Sequence, residues 1–154
     1  MTDDPGFSVE VEIQDLQEAI SIDHQQVEDL VRFVLRRENH GGRVGICFVD
    51  DERIAQLHGE FMDDPTATDV ITFPLEETIA ELVDGEIVIS TDTALKQASE
   101  HNFGPLREVH LYVVHGLLHL LGHDDLDPQE AEQMRRLQEA HLGSWNRFRG
   151  VTDD

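Results

Sequence analysis

The chain has 154 residues and a formal net charge of −22, with 39% hydrophobic and 29% charged residues. This length suffices for one domain with a proper core, and the composition is typical of a soluble globular protein. No apolar run is long enough to span a membrane, and the acidic N-terminus is unlike a signal peptide, so we expect no membrane partner. The single cysteine, Cys47, excludes an intramolecular disulfide. We expect it to be a small core residue in a reducing, cytoplasmic protein.

The strong acidity predicts repulsion from nucleic acids at long range, and no DNA partner is expected. Lys96 is the only lysine, and the other ten basic residues are arginines. A surface rich in acid and poor in lysine suits a saline cytoplasm, although a solvated acidic face is the simpler interpretation.

Hydropathy patterns predict nine elements in the order strand, helix, strand, helix, two strands, three helices. In chain order they are a strand over 7–13, a helix capped by Asp23 and closed by Gly41-Gly42, a strand over 43–49, a short helix capped by Asp50 or Asp51, strands over 69–73 and 85–90, a helix from Thr91 or Asp92, a helix over 105–121, and a helix opened by Asp127-Pro128 and closed by Gly143. The order predicts a single α+β domain over residues 1–154, with a four-stranded mixed sheet packed by about five to six helices.

Two histidines lie four residues apart, at His115 and His119, in a segment that is apolar nearly all round. On a helix this spacing places both side chains on one face, about 5–6 Å apart at Cβ. Such a helix is buried, and a buried imidazole without a partner costs about 1–3 kcal/mol. The alternative is two core histidines with separate polar partners, but one shared metal ion satisfies both rings.

Gly122 follows at the end of this helix, where a glycine can adopt a positive φ and turn the chain back. A third ligand then reaches the same ion, so the metal site is predicted at the end of a buried helix. Asp125 is the favoured candidate, and His123 is the alternative third ligand.

Three protein ligands are typical of a catalytic zinc site, because the fourth position is left for a water with a lowered pKa. His115 and His119 would then act in catalysis through that metal-bound water. One Zn²⁺ per chain is expected, although iron, cobalt or manganese also suit two imidazoles and one oxygen. Zinc proteases with this spacing carry a glutamate after the first histidine, where this chain has Gly116. A peptidase would therefore lack its general base.

The run from His115 to Asp125 resembles the signature H-G-x-L-H-L-x-G-[YH]-D-H of the YbeY family of bacterial metallo-endoribonucleases, also called rRNA maturation factors. Thr68-Asp-Val-Ile-Thr-Phe-Pro74 is similar to the family's T-D-V-L-S-F-P segment, and Gly85-Glu-Ile-Val-Ile89 to its G-D-I-x-I strand. The similarity covers roughly residues 45–140, in the same order and spacing.

The resemblance implies an α+β fold with one zinc ion near the end of a helix. It also implies cleavage of single-stranded RNA, with roles in processing the 3′ end of small-subunit rRNA and in ribosome quality control. Ribosomal or small-subunit proteins are then expected partners.

The chain departs from the family pattern at two positions. Asp125 stands where the family has its third metal histidine, and Met62 where many members carry an arginine thought to be functional. A cation that stabilises the transition state must therefore come from elsewhere. Arg107 is the candidate nearest in sequence to the metal helix.

Other residues are candidates for supporting roles. Asp69, with Thr68 beside it, either orients a metal-bound histidine or caps the loop before its strand. Arg135 and Arg136 either contact RNA phosphates or pair with acidic residues on the surface of the last helix. Because the chain is so acidic, we expect the free protein to bind RNA weakly and to rely on the metal or on a ribosomal partner.

The leading hypothesis is a single-strand-specific, zinc-dependent endoribonuclease that acts in rRNA maturation. A non-catalytic ribosome-assembly factor with a metal-stabilised fold is the main alternative. A zinc hydrolase acting on another class of substrate is a third.

Overall fold

The computed structural model describes residues 8–64, 66–75 and 81–150. Within these ranges, four strands and five helices follow in the predicted order. The strands are β1 (Val9–Asp15), β2 (Gly41–Val49), β3 (Val70–Pro74) and β4 (Leu82–Ser90), and the helices are α1 (His24–Arg37), α2 (Asp51–Met62), α3 (Thr91–His101), α4 (Pro105–Leu120) and α5 (Pro128–Phe148).

The strands form one mixed sheet in the order β1-β2-β4-β3. β2 is parallel to both β1 and β4, whereas β3 runs antiparallel to β4 at the edge. Parallel neighbours need crossover connections, and α1 provides the one between β1 and β2. The predicted α+β fold with a four-stranded mixed sheet is confirmed.

Helix α4 lies at the centre of the main core, between α1, α5 and one face of the sheet. Its apolar residues pack with those of α1 and with alternate residues of β2 and β4, among them Leu30, Val34, Ile46, Phe48, Ile87, Val113 and Leu117. A smaller cluster under α2 contains Ile54 and Val88. Because neighbouring residues of a strand point to opposite faces, α4 and α2 cover opposite sides of the sheet.

Two glycines allow α4 to lie directly on β4. A Cβ atom on Gly116 would come within 2.7 Å of Cγ2 of Ile87, and one on Gly85 within 2.6 Å of Cδ2 of Leu120. Each glycine therefore removes a clash with a side chain of the other element. This close approach fixes the C-terminal half of α4, which carries both histidines.

Three predicted helix caps are confirmed, since the side chains of Asp23, Asp50 and Asp127 each accept hydrogen bonds from backbone N–H groups at the start of a helix. Ser90 rather than Thr91 or Asp92 caps α3, because its hydroxyl accepts from the backbone N–H of Thr93.

Two local predictions are wrong. α5 does not end at Gly143 but continues to Phe148. A glycine inside a helix costs about 0.5–1 kcal/mol, and the burial of Leu142 and Trp145 on either side outweighs that cost. Cys47 is only half-buried, on the side of the sheet covered by α2, with its thiol 3.8 Å from Oε1 of Gln14.

Candidate metal centre

His115 and His119 occupy one face of α4, as their spacing predicts. Their Nε2 atoms lie 3.1 Å apart, and their side chains are 27% and 26% exposed. The rings therefore lie at the surface end of a helix whose other faces are buried. Two nitrogens this close to each other need either a proton or a cation between them.

The turn after α4 brings the chain back over the histidine pair. The N–H of Gly122 donates to the carbonyl oxygen of His119, and the N–H of His123 donates to that of Leu118. These two bonds form a Schellman motif, with Gly122 at a φ of +99°. The helix stop predicted at Gly122 is confirmed, and the following residues turn toward the rings.

The turn places Asp125 next to both histidines. Its Oδ2 lies 3.7 Å from Nε2 of His115 and 3.7 Å from Nε2 of His119. The three ligand atoms lie within 4.8 Å of one another. We call His115, His119 and Asp125 the His-His-Asp group.

The spacing of these atoms fits a small divalent cation. The point that lies in the plane of the three atoms and is equidistant from them is about 2.0 Å from each, close to the length of zinc–nitrogen and zinc–oxygen bonds. Two imidazoles and one carboxylate are also a donor set that zinc accepts. The residues present therefore fit the ion that the sequence suggests.

Gln138 of α5 orients the ring of His115. Its Oε1 lies 2.5 Å from Nδ1 of His115. Because an amide oxygen can only accept, Nδ1 must carry the proton, and Nε2 of the neutral ring then presents a lone pair to the group. This is the arrangement of a metal-binding histidine whose other nitrogen is held by a neighbour. Sequence reasoning missed Gln138, because only the packing of α5 on α4 shows that the two residues meet.

His123, the alternative third ligand, has a different neighbour. Its Nε2 lies 3.6 Å from Oε1 of Glu38, the residue that follows α1. Glu38 also accepts from Nε2 of His141, whose Nδ1 accepts in turn from Nε of Arg37. Burial lowers the pKa of His141, and the carboxylate of Glu38 only partly opposes this. His123 therefore belongs to a network that ties the turn after α4 to α1 and α5.

The contacts of Asp69 match a capping role. Its Oδ1 accepts from the backbone N–H of Val70 at 2.7 Å and lies 3.5 Å from the hydroxyl oxygen of Thr68. The ring nitrogen of His115 that an orienting carboxylate would hold is instead bonded to Gln138. The bond to Val70 shows Asp69 holding the start of β3, and its role in orienting His119 stays a prediction.

Of the candidate RNA-contacting arginines, Arg107 lies at the far end of α4 from the ligand atoms, and Arg135 and Arg136 form ion pairs on the surface of α5. Arg107 stands at the start of α4, eight residues before His115, with its guanidinium carbon 3.8 Å from the Phe103 ring centroid. Arg135 pairs with Glu132 and Glu139, and Arg136 pairs with Glu132. On α5 the structure therefore shows the surface pairs that were one of the two predicted roles.

The position of Gly116 explains why a protease-type glutamate is absent. The residue is buried against Ile87 of the sheet, so any side chain there would enter the core and not the metal group. This position therefore cannot supply a general base to the metal group, which agrees with the interpretation that a peptidase would lack its base here.

The fold and the site define a class of protein: one α+β domain with a His-His-Asp group at the end of a buried helix. The family model described as "Endoribonuclease YbeY" matches residues 12–146. The chain belongs to this endoribonuclease YbeY family, as its motifs predict.

Individual relatives agree with this assignment. An endoribonuclease YbeY of Carboxydothermus hydrogenoformans is 36% identical over 136 residues, which cover 86% of this chain and 95% of the relative. One from Chlamydia caviae is 38% identical, with 83% of this chain and 85% of the relative covered. A solution structure of a Thermotoga maritima protein is similar with a TM-score of 0.62 and 26% identity, covering 88% of this chain and 91% of that one.

Across the described ranges, no helix combines the length and the apolar character that crossing a membrane requires.

Proposed function

We propose that this protein is a zinc-dependent endoribonuclease that cleaves single-stranded RNA in the maturation of the small-subunit rRNA 3′ end. A contribution to ribosome quality control, ribosomal partners and a cytoplasmic location belong to the same proposal. The observation that carries it is the convergence of three ligand atoms at the end of α4, in a chain that belongs to the endoribonuclease YbeY family.

His115, His119 and Asp125 would hold the metal, which when bound supplies Lewis-acid chemistry at a phosphodiester. Gln138 keeps the proton of His115 on Nδ1, so that Nε2 faces the ion as a neutral donor. The carboxylate of Asp125 lowers the net charge of the site by one unit relative to a third imidazole. We therefore expect a weaker electrophile and a greater tolerance for oxygen-preferring metals than a three-histidine site would show.

The exposure of the group suits a polymeric substrate. About a quarter of each histidine side chain and 36% of the Asp125 side chain are exposed. A strand of RNA can therefore reach the ligand atoms without a channel. Because the chain carries a net charge of −22, binding in the absence of a ribosomal partner is expected to be weak.

The proposal is tested by cleavage of a 5′-labelled single-stranded RNA that contains the rRNA 3′-end sequence. The protein is assayed as purified, after removal of metal with a chelator, and after addition of zinc or manganese, beside the His119→Ala variant and the matched His24→Ala variant. His24 is an exposed histidine that pairs with Asp15 at the start of α1. We expect chelation and His119→Ala to abolish cleavage, and His24→Ala to leave it intact.

The ends of the products distinguish attack by water from attack by the neighbouring 2′-hydroxyl, because only the latter leaves a cyclic phosphate. If metal binds and raises Tm while RNA stays uncut under all conditions, the protein is the non-catalytic assembly factor. If wild type and His119→Ala cleave the RNA equally, the activity comes from a contaminating nuclease and not from this protein.

A further inference from the structure

An open groove with a volume of about 890 Å³ lies between α1 and the C-terminal end of α5. Arginines and aromatic residues line most of it, and the residues of the His-His-Asp group do not. The side chains that matter here are Arg32, Arg37, Arg149, Phe33, Trp145 and Phe148. We call this surface the arginine–aromatic groove.

The groove has a local charge opposite to that of the whole protein. Together with Arg36, its arginines make up four of the chain's eleven basic residues, whereas Asp29 is the one acid among the lining residues. In a chain with a net charge of −22, this concentration of cations makes an anion the favoured ligand.

Aromatic rings in the groove are available for stacking. Phe148 is 77% exposed, and its ring centroid lies 5.5 Å from that of Phe33. The guanidinium carbon of Arg37 lies 5.6 Å from the centroid of the Phe33 ring. Cations beside an exposed ring are the arrangement that binds single-stranded nucleic acid, since phosphates meet the cations and a base stacks on the ring. An acidic peptide would use the cations but not the ring.

Arg149 adds an unsatisfied donor at the inner wall. Its guanidinium carbon lies 3.7 Å from the centroid of the Trp145 ring, and its Nη2 donates to Oδ1 of Asn146. Its Nε is buried and has no hydrogen-bond partner among the described residues. A half-buried cation whose buried Nε–H has no acceptor is stabilised by an anion that reaches it from the groove.

The arginine–aromatic groove and the His-His-Asp group both border α5. Gln138, which holds His115, and Trp145 are seven residues apart, so they lie on the same face of the helix, about 10 Å apart along its axis. Beside this face, Arg37 of the groove donates to His141, which shares Glu38 with His123 of the turn after α4. Trp145 and His141 are buried, so this spacing gives the separation of the two places along α5, which a strand of a few nucleotides is long enough to cover.

We propose that the arginine–aromatic groove binds single-stranded RNA that extends along α5 from the His-His-Asp group, with phosphates on the arginines and a base on Phe148. The inference rests on the proposed function for the nature of the strand, but the binding itself requires neither metal nor cleavage.

The experiment measures binding of a fluorescent single-stranded RNA of about ten nucleotides to the full chain, with a chelator present and at several salt concentrations. Phe148→Ala is compared with Phe61→Ala, a second exposed phenylalanine at the end of a helix. Arg32→Gln is compared with Arg53→Gln, because Arg53 is an exposed arginine on α2, a helix that does not line the groove. All four side chains are at least partly exposed, so the variants are expected to fold.

We expect Phe148→Ala to weaken binding about tenfold. Arg32→Gln should weaken it about threefold and lower the salt dependence by about one phosphate contact. The control variants should bind within about twofold of the wild type, and polyglutamate should compete poorly. If groove variants bind RNA as controls do, if polyglutamate competes as well as RNA, or if the wild type does not bind at all, the inference is overturned.

Failure of the proposed function would look different from failure of this inference. If the protein binds RNA through Phe148 but never cleaves it, the groove proposal is supported and the nuclease proposal is refuted. If the protein cleaves RNA and all groove variants bind it with unchanged affinity, the nuclease proposal is supported and the groove proposal is refuted.

Discussion

The side-chain amide of Gln138 on α5 accepts a hydrogen bond from Nδ1 of His115 on α4. This contact fixes both the orientation and the tautomer of one proposed metal ligand. We expect Gln138→Ala to weaken zinc affinity by about 10- to 100-fold, the usual cost of losing the partner of a metal-bound histidine. Competition with a zinc-binding dye measures this directly.

Gln133→Ala is the matched control, because Gln133 is an exposed residue on the same helix. It should leave the zinc affinity unchanged. Equal affinities in wild type and Gln138→Ala would show that the hydrogen bond does not prepare His115 for a metal.

The two helical glycines, Gly116 and Gly143, should respond in opposite directions to replacement by alanine. In Gly116→Ala the new methyl group meets Ile87 at 2.7 Å, so we expect a loss of about 1–3 kcal/mol. In Gly143→Ala the nearest neighbouring atom is the flexible end of Arg147 at 3.4 Å, so higher helix propensity should add about 0.5–1 kcal/mol. Urea unfolding of both variants measures the signs. Stabilisation by Gly116→Ala would contradict the packing described for α4, and destabilisation by Gly143→Ala would contradict the open environment described for α5.

The buried imidazole of His110 should make the protein less stable in acid. The residue is 5% exposed and packs edge-on against Trp145. Burial lowers its pKa to about 4, and Arg149 acts in the same direction while Asp23 opposes it. Between the unfolded pKa near 6.5 and the folded value, the unfolded state binds more protons, so stability falls as the pH falls through this window.

The acid-dependent loss attributable to His110 is on the order of 3 kcal/mol from neutral pH down to its folded pKa of about 4. His110→Phe removes the titration and keeps an aromatic ring beside Trp145. We expect the free energy of unfolding of this variant to depend less on pH across that window than that of the wild type. Identical pH dependence in the two proteins would refute the assignment.

The sequence predicted those parts of the fold and the site that depend on local periodicity. The spacing of His115 and His119 and the glycine at position 122 suffice to place two ligands and a turn, since both are properties of one helix and its end. The order of strands and helices follows from hydropathy in the same way. The choice between Asp125 and His123 stayed open, because it depends on the position of Glu38, which follows α1 and is distant in sequence.

Contacts between elements that are distant in sequence could not be predicted. Gln138 meets His115 only through the packing of α5 on α4, and nothing in its own neighbourhood distinguishes it from an exposed glutamine. The end of α5 was misplaced for a related reason. The local preference of Gly143 to stop a helix is weaker than the burial of Trp145, which only the tertiary structure shows.

The most direct test of the His-His-Asp group is metal content by elemental analysis, measured on wild type, Asp125→Ala and His123→Ala after equal exposure to zinc and desalting. We predict one zinc per chain in the wild type and in His123→Ala, and a clear loss in Asp125→Ala, because Oδ2 of Asp125 lies 3.7 Å from Nε2 of both histidines, whereas Nε2 of His123 lies 3.6 Å from Glu38. Full zinc content in Asp125→Ala with loss in His123→Ala would contradict the site, as would a wild type that binds no metal.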